Sequence, residues 1–107
     1  MCSPAANVAH AAAALGLVFL AGAALASPEL ARDRRCLNCH AVDRKLVGPA
    51  LRDVAARYTG DTGAAPRLAA KIVQGGAGAW GPVPMSANPQ VSPDEARRLA
   101  AWVLSLK

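Results

Sequence analysis

Over residues 92–107, SPDEARRLAAWVLSLK, apolar side chains recur as Leu99, Trp102, Val103 and Leu106. Steps of three and four residues are the stripe of an amphipathic helix. Ser92 is its expected cap, Pro93 suits the first turn, and Glu95 completes a capping box. Three other segments read as shorter helices. GPALRDVAARYTG sets Leu51, Val54, Ala55 and Tyr58 at helical spacing and stops at Gly60. APRLAAKIVQGG places Leu68 and Ile72 four residues apart before a glycine pair. SPELARDRRCLNCH opens with Ser27 as N-cap and Pro28 at the first helical position, with Leu30 and Leu37 two turns apart on one side. No β-branched alternation occurs after residue 26, so the pattern predicts an all-α domain of three or four short helices and no strands. The stripe of the last helix needs a partner, and the first helix is the expected one.

The start of the chain is patterned differently. Met1 to Pro28 contains no Asp, Glu, Lys or Arg, and Ala11 to Ala26 is an unbroken run of Ala, Leu, Gly, Val and Phe. The run closes on Ala24-Leu25-Ala26, the small-x-small pattern that signal peptidase cuts after. Met1 to Ala26 therefore reads as a secretory signal peptide, and Ser27 to Lys107 as one mature domain. The alternative is an uncleaved membrane anchor, because Ala5 to Ala26 is long enough to span a bilayer. Such segments ordinarily follow basic residues, whereas Arg32, Arg34 and Arg35 lie after this one.

Removing that segment leaves 81 residues carrying all twelve basic and all seven acidic side chains, so the net charge stays +5. A basic surface suits acidic partners. No Lys/Arg run is interleaved with aromatics, which argues against nucleic acid. A domain this small usually adds a disulfide, metal or cofactor to its core. Its only aromatic residues are Tyr58, Trp80 and Trp102. Something else has to fill the middle.

The candidate chemistry lies in CLNCH, residues 36–40. A Cys36–Cys39 disulfide would close too short a loop to stabilise much. A thioredoxin-like pair needs a βαβ setting that is absent. Zinc wants four ligands, and no Cys or His follows residue 40. The C-x-x-C-H spacing does fit covalent attachment of a c-type haem, with His40 beside the iron. A second axial ligand is then wanted, and the mature segment holds one further soft donor, Met85. The competing reading is a core methionine, but WGPVPMSANP is rich in Pro and Gly and reads as a stiff loop.

With CLNCHAVDRKLVGPAL, VAARY, WGPVPM and AWVLSLK in this order, Ser27–Lys107 resembles a bacterial class I cytochrome c of the small periplasmic c-551 type. The resemblance implies the cytochrome c fold: three to four helices around one covalent haem, with the first and last helices packed together. Carried over position by position, it makes Cys36 and Cys39 the thioether attachments, His40 the proximal ligand and Met85 the distal ligand. The Asn88 side chain would lie near the Met85 sulfur, and the Pro49 carbonyl would accept a hydrogen bond from the His40 ring. Trp80 and Lys71 match positions that reach a haem propionate; for Lys71 the alternative is a solvated surface charge. This sequence departs from the family at Ala31, where an aromatic usually packs on the last helix, and by one extra residue between Asn88 and Ser92.

The function implied is that of a soluble, monomeric periplasmic electron carrier and not an enzyme. It would shuttle between a membrane cytochrome complex as donor and a nitrite reductase or cytochrome oxidase as acceptor, docking on their acidic patches. Arg44 and Lys45, in a polar stretch after the haem motif, are candidate members of its basic patch. The alternative is a haem enzyme or gas sensor with a labile distal ligand, which only Met85 and its loop argue against.

Overall fold

A computed structural model of the chain describes residues 27–107; the expected signal peptide, Met1 to Ala26, lies outside them. Four α-helices follow in order: α1 (Ser27–Asp33), α2 (Leu51–Arg57), α3 (Ala64–Gln74) and α4 (Pro93–Leu104). A 3-10 turn, Cys36–Asn38, stands between α1 and α2. Between α3 and α4 lie two short strands, β1 (Gly76–Gly78) and β2 (Gly81–Met85). No helix of the described residues is long and apolar enough to cross a membrane.

The all-α expectation holds for the architecture, and the strands correct it locally. β1 and β2 pair antiparallel, Gly76 with Met85 and Gly78 with Gly81, with an irregular register between. Half of what read as a stiff loop is thus a strand. Gly76, Gly78 and Gly81 have φ values of 135°, 107° and 110°, which side chains rarely adopt. A ribbon built on such glycines leaves no alternation to read in the sequence.

Helix α4 is capped as expected. The Ser92 hydroxyl accepts from the Glu95 N–H at 3.1 Å, and the Ser92 N–H donates to the Glu95 carboxylate at 3.1 Å. Its inner face, Ala96, Leu99 and Ala100, is buried with Ala31 of α1, Ala69 of α3 and Val91. The first and last helices do pack together. The more extensive contact of α4, however, is with α3, whose Leu68, Ile72 and Val73 join the same cluster. Alanines at the crossing let backbones approach closely, and the burial of Ala31 follows from that. Leu106, expected in the stripe, lies beyond the helix end at Leu104.

The first predicted helix is broken. α1 ends at Asp33, and Arg35 takes φ 68° before the chain winds into the 3-10 turn. Arg35 is the only non-glycine residue with positive φ among those described. Leu30 and Leu37 still both pack on the core. After the break, the Arg34 guanidinium reaches the Glu95 carboxylate through Nε at 3.0 Å and Nη2 at 2.5 Å. That fork ties the end of α1 to the start of α4.

Two predictions follow from this geometry. A left-handed conformation costs an arginine roughly 1–2 kcal/mol, of which glycine's greater unfolded-state freedom offsets about half. Arg35→Gly should therefore stabilise the domain by about 0.5–1 kcal/mol in denaturant titration. The bond from Arg34, and then the Ser92 N–H, hold the Glu95 carboxyl at about 2, against an ordinary 4.5. A depressed carboxyl contributes stability that is complete above the ordinary value and is lost as pH falls through the folded one. The stability difference between wild type and Glu95→Gln should accordingly shrink from pH 4.5 towards pH 2; a constant difference would show that the pair is not the cause.

Candidate haem site

The helices and the ribbon enclose a cavity of about 580 Å³, within the range of cofactor sites. Its lining is predominantly apolar. The segment between α1 and α2 contributes Cys36, Cys39, His40 and Pro49, and α2, α3 and α4 contribute Leu51, Val54, Leu68, Ile72, Leu99 and Trp102. From the ribbon and the loop after it come Trp80, Val83, Met85 and Asn88. All eight residues singled out from the sequence line this one space, Lys71 included.

Backbone bonds wind the motif tightly. The Cys39 and His40 N–H groups both donate to the Cys36 carbonyl, at 3.2 and 3.0 Å, and the Gly48 N–H returns to the Cys39 carbonyl at 2.8 Å. Both thiols are free, Cys36 half-buried and Cys39 exposed. Burial pushes the Cys36 thiol above its ordinary pKa. His40 Nδ1 lies 2.8 Å from the Pro49 carbonyl oxygen. A carbonyl can only accept, so Nδ1 carries a proton, and Nε2 is the nitrogen left to ligate. The ring lies flat over Gly48, where an added Cβ would come within 2.5 Å of Cε1 and 2.9 Å of Nδ1.

Met85 ends β2, half-buried, on a segment seated against the end of α3. Gly75 closes that helix with φ 73°, and a Cβ there would come within 2.5 Å of the Met85 carbonyl and 2.7 Å of the Ala87 nitrogen. Asn88 fastens the same segment. Its Nδ2 donates to the Ile72 carbonyl at 2.8 Å and the Ser86 carbonyl at 3.3 Å, and its N–H to the Val73 carbonyl at 3.0 Å. Both amide protons of its side chain are thereby engaged on main-chain carbonyls. Lys71 extends over Gly76 and has no carboxylate partner among the described residues. Arg44 is exposed beside Asp43 at 3.6 Å. Lys45 lies at the cavity rim.

The family model described as "Cytochrome c" matches residues 24–107. The chain belongs to the cytochrome c family. Cytochrome c-551 of Pseudomonas aeruginosa is 50% identical over 95 residues, covering 88% of this chain and 90% of that protein. Cytochrome c-551 of Azotobacter vinelandii is 53% identical over 79 residues, covering 74% and 95%. The crystal structure of Nitrosomonas europaea cytochrome c552 superposes with a TM-score of 0.72 at 48% identity, over 74% of this chain and 98% of that one. These similarities make this a class I cytochrome c of the c-551 type, an electron carrier rather than an enzyme, with one covalently attached c-type haem. The site fits that group: two thiols and an imidazole whose Nδ1 is held by a main-chain carbonyl line one predominantly apolar cavity.

Sequence reasoning missed Gly48 and Gly75, which are signalled only weakly, as glycines next to functional segments. Gly48→Ala should push the imidazole off the Pro49 carbonyl and cost about 1–3 kcal/mol of stability. The expected readout is a lower denaturation midpoint with an altered ferric haem spectrum; an unchanged spectrum would mean that the ring does not depend on Gly48.

Proposed function

We propose that this cytochrome is a soluble periplasmic electron carrier whose iron is held between His40 and Met85. The observation that carries the reading is convergence: His40 and Met85 stand on separate segments between the helices, yet both line the cavity that the two thiols also line. Cys36 and Cys39 attach the haem as thioethers. The Pro49 carbonyl fixes the His40 tautomer that can ligate. Gly75 and Asn88 fasten the Met85 segment, so the thioether is held without helical support. Lys71 and Trp80 meet the haem propionates, a role suited to an ammonium lacking a protein carboxylate.

When bound, the haem supplies one-electron chemistry, and sulfur/imidazole ligation raises its potential relative to harder ligand pairs. With His40 and Met85 both committed to holding the haem, no position would be left there for a substrate. The protein's part is to bury, ligate and present the cofactor. Val47 and Val83, 56% and 58% exposed, stand near exposed Arg35 and Lys45 around the cavity. Such a rim suits brief, salt-sensitive docking on acidic partners, a membrane cytochrome complex as donor and a nitrite reductase or cytochrome oxidase as acceptor. Met1 to Ala26 directs export to the periplasm, and Ser27–Lys107 works there as a monomer.

Met85 provides the test. The oxidised protein should show the weak near-infrared sulfur-to-iron band. Met85→Ala should abolish it and open the iron to cyanide. Equal cyanide binding by wild type and variant would make Met85 a core side chain and favour an enzyme or sensor.

A further inference from the structure

We propose that Arg57 is a positioning residue of the electron-transfer centre, holding the Trp80 indole as the wall of the cavity at the tip of the ribbon. Trp80 lines the cavity but is 41% exposed, on the two-residue connection between β1 and β2. The residues flanking the connection have no side chain with which to pack it down. Gly78 and Gly81 flank it with φ values of 107° and 110°, and a Cβ at either would meet nothing within 4 Å. Packing therefore does not fix the tip.

Arg57, the last residue of α2, supplies what packing does not. Its guanidinium carbon lies 4.3 Å from the centroid of the Trp80 ring. Its Nη1 donates to the Ala79 carbonyl, one residue before the indole. Stacking on the ring and bonding to the adjacent main chain hold the tip at two points. Arg57 forms no ion pair among the described residues, and it lies outside the cavity lining. Trp80 thus stands between an uncompensated cation and the cavity. A lysine would keep the charge but lose the planar fork that makes both contacts at once.

Two consequences run in the same direction. Releasing the tip would admit water beside the cofactor, and removing the cation would withdraw positive charge from it. Both favour the more positive, oxidised iron, so loss of Arg57 should lower the reduction potential. The inference rests on the reading above only in placing the cavity side of Trp80 against the haem.

The experiment compares wild type, Arg57→Gln and Arg57→Lys as reduced, haem-loaded proteins. Hydrogen exchange of the Trp80 indole N–H is followed by NMR, and the potential is measured alongside. Arg57→Gln should speed the exchange by about tenfold, the loss of one cation–π contact and one charged hydrogen bond, and lower the potential. Arg57→Lys should fall between the two. Unchanged exchange in Arg57→Gln overturns the proposal, and a potential that falls without faster exchange does so too, since Arg57 would then act only as a distant charge. If the wild-type indole already exchanges as fast as a free one, the placement of Trp80 against the haem fails as well. Slow exchange that Arg57→Gln leaves unaltered removes only the role of Arg57.

Discussion

Of the eleven apolar residues buried among those described, seven are alanines, and Leu99 is the only large side chain that is fully buried. Alanines allow α1, α3 and α4 to cross closely, but they bring little bulk to the centre. A domain of this size has little margin to leave a cavity of about 580 Å³ at its middle. The remaining large apolar side chains, Leu68, Ile72 and Trp102 among them, are turned partly toward that space. Cofactor and core are one problem in this fold. The haem that the family attaches through a C-x-x-C-H motif would supply the bulk the side chains lack.

The helices frame the cavity, and the two proposed ligands stand on the segments between them. His40 follows a 3-10 turn after a left-handed arginine, and Met85 ends a glycine-rich ribbon. Such segments hold their geometry only when something outside them does so. At His40 it is the Pro49 carbonyl on one nitrogen and the bare face of Gly48 under the ring. At Met85 it is the close approach of Gly75 and the side chain of Asn88 bonded to α3. Both sides use the same device, a glycine where a Cβ would collide and a hydrogen bond that fixes what lies above it. The Arg34–Glu95 fork then closes α1 against α4, so the two halves of the frame are tied as well.

What was legible in the sequence was local. The Ser92–Glu95 capping box, the Leu99 stripe, the buried positions Leu51, Val54 and Ala55, and the haem motif each lie within a few residues of chain. What was illegible depends on pairing across the fold or on backbone alone. The ribbon is stitched by glycines and has no side-chain period. The break at Arg35 puts an arginine where propensity favours continuing the helix. The dominant packing of α4 on α3 rather than α1 follows from how the cavity is enclosed, which no periodicity encodes. The fork between Arg34 and Glu95 spans 61 residues. The proposed ligands stood out because each is rare: one histidine and one methionine among residues 27–107 leave little to choose between. Of their supports, the Pro49 carbonyl and Asn88 came only with the family resemblance, and Gly48 and Gly75 were missed because glycines are common.

The proposed ligation by Met85 and His40 is observed most directly on the methionine itself. In a proton NMR spectrum of the reduced protein, a methionine held on the iron lies over the porphyrin ring, and its methyl resonance is carried far upfield by the ring current. With Met85 on the iron, one such methyl signal is expected, and it disappears in a protein lacking the Met85 side chain. A Met85 methyl at the ordinary position of a core methionine, in protein that nonetheless carries covalent haem, would contradict it.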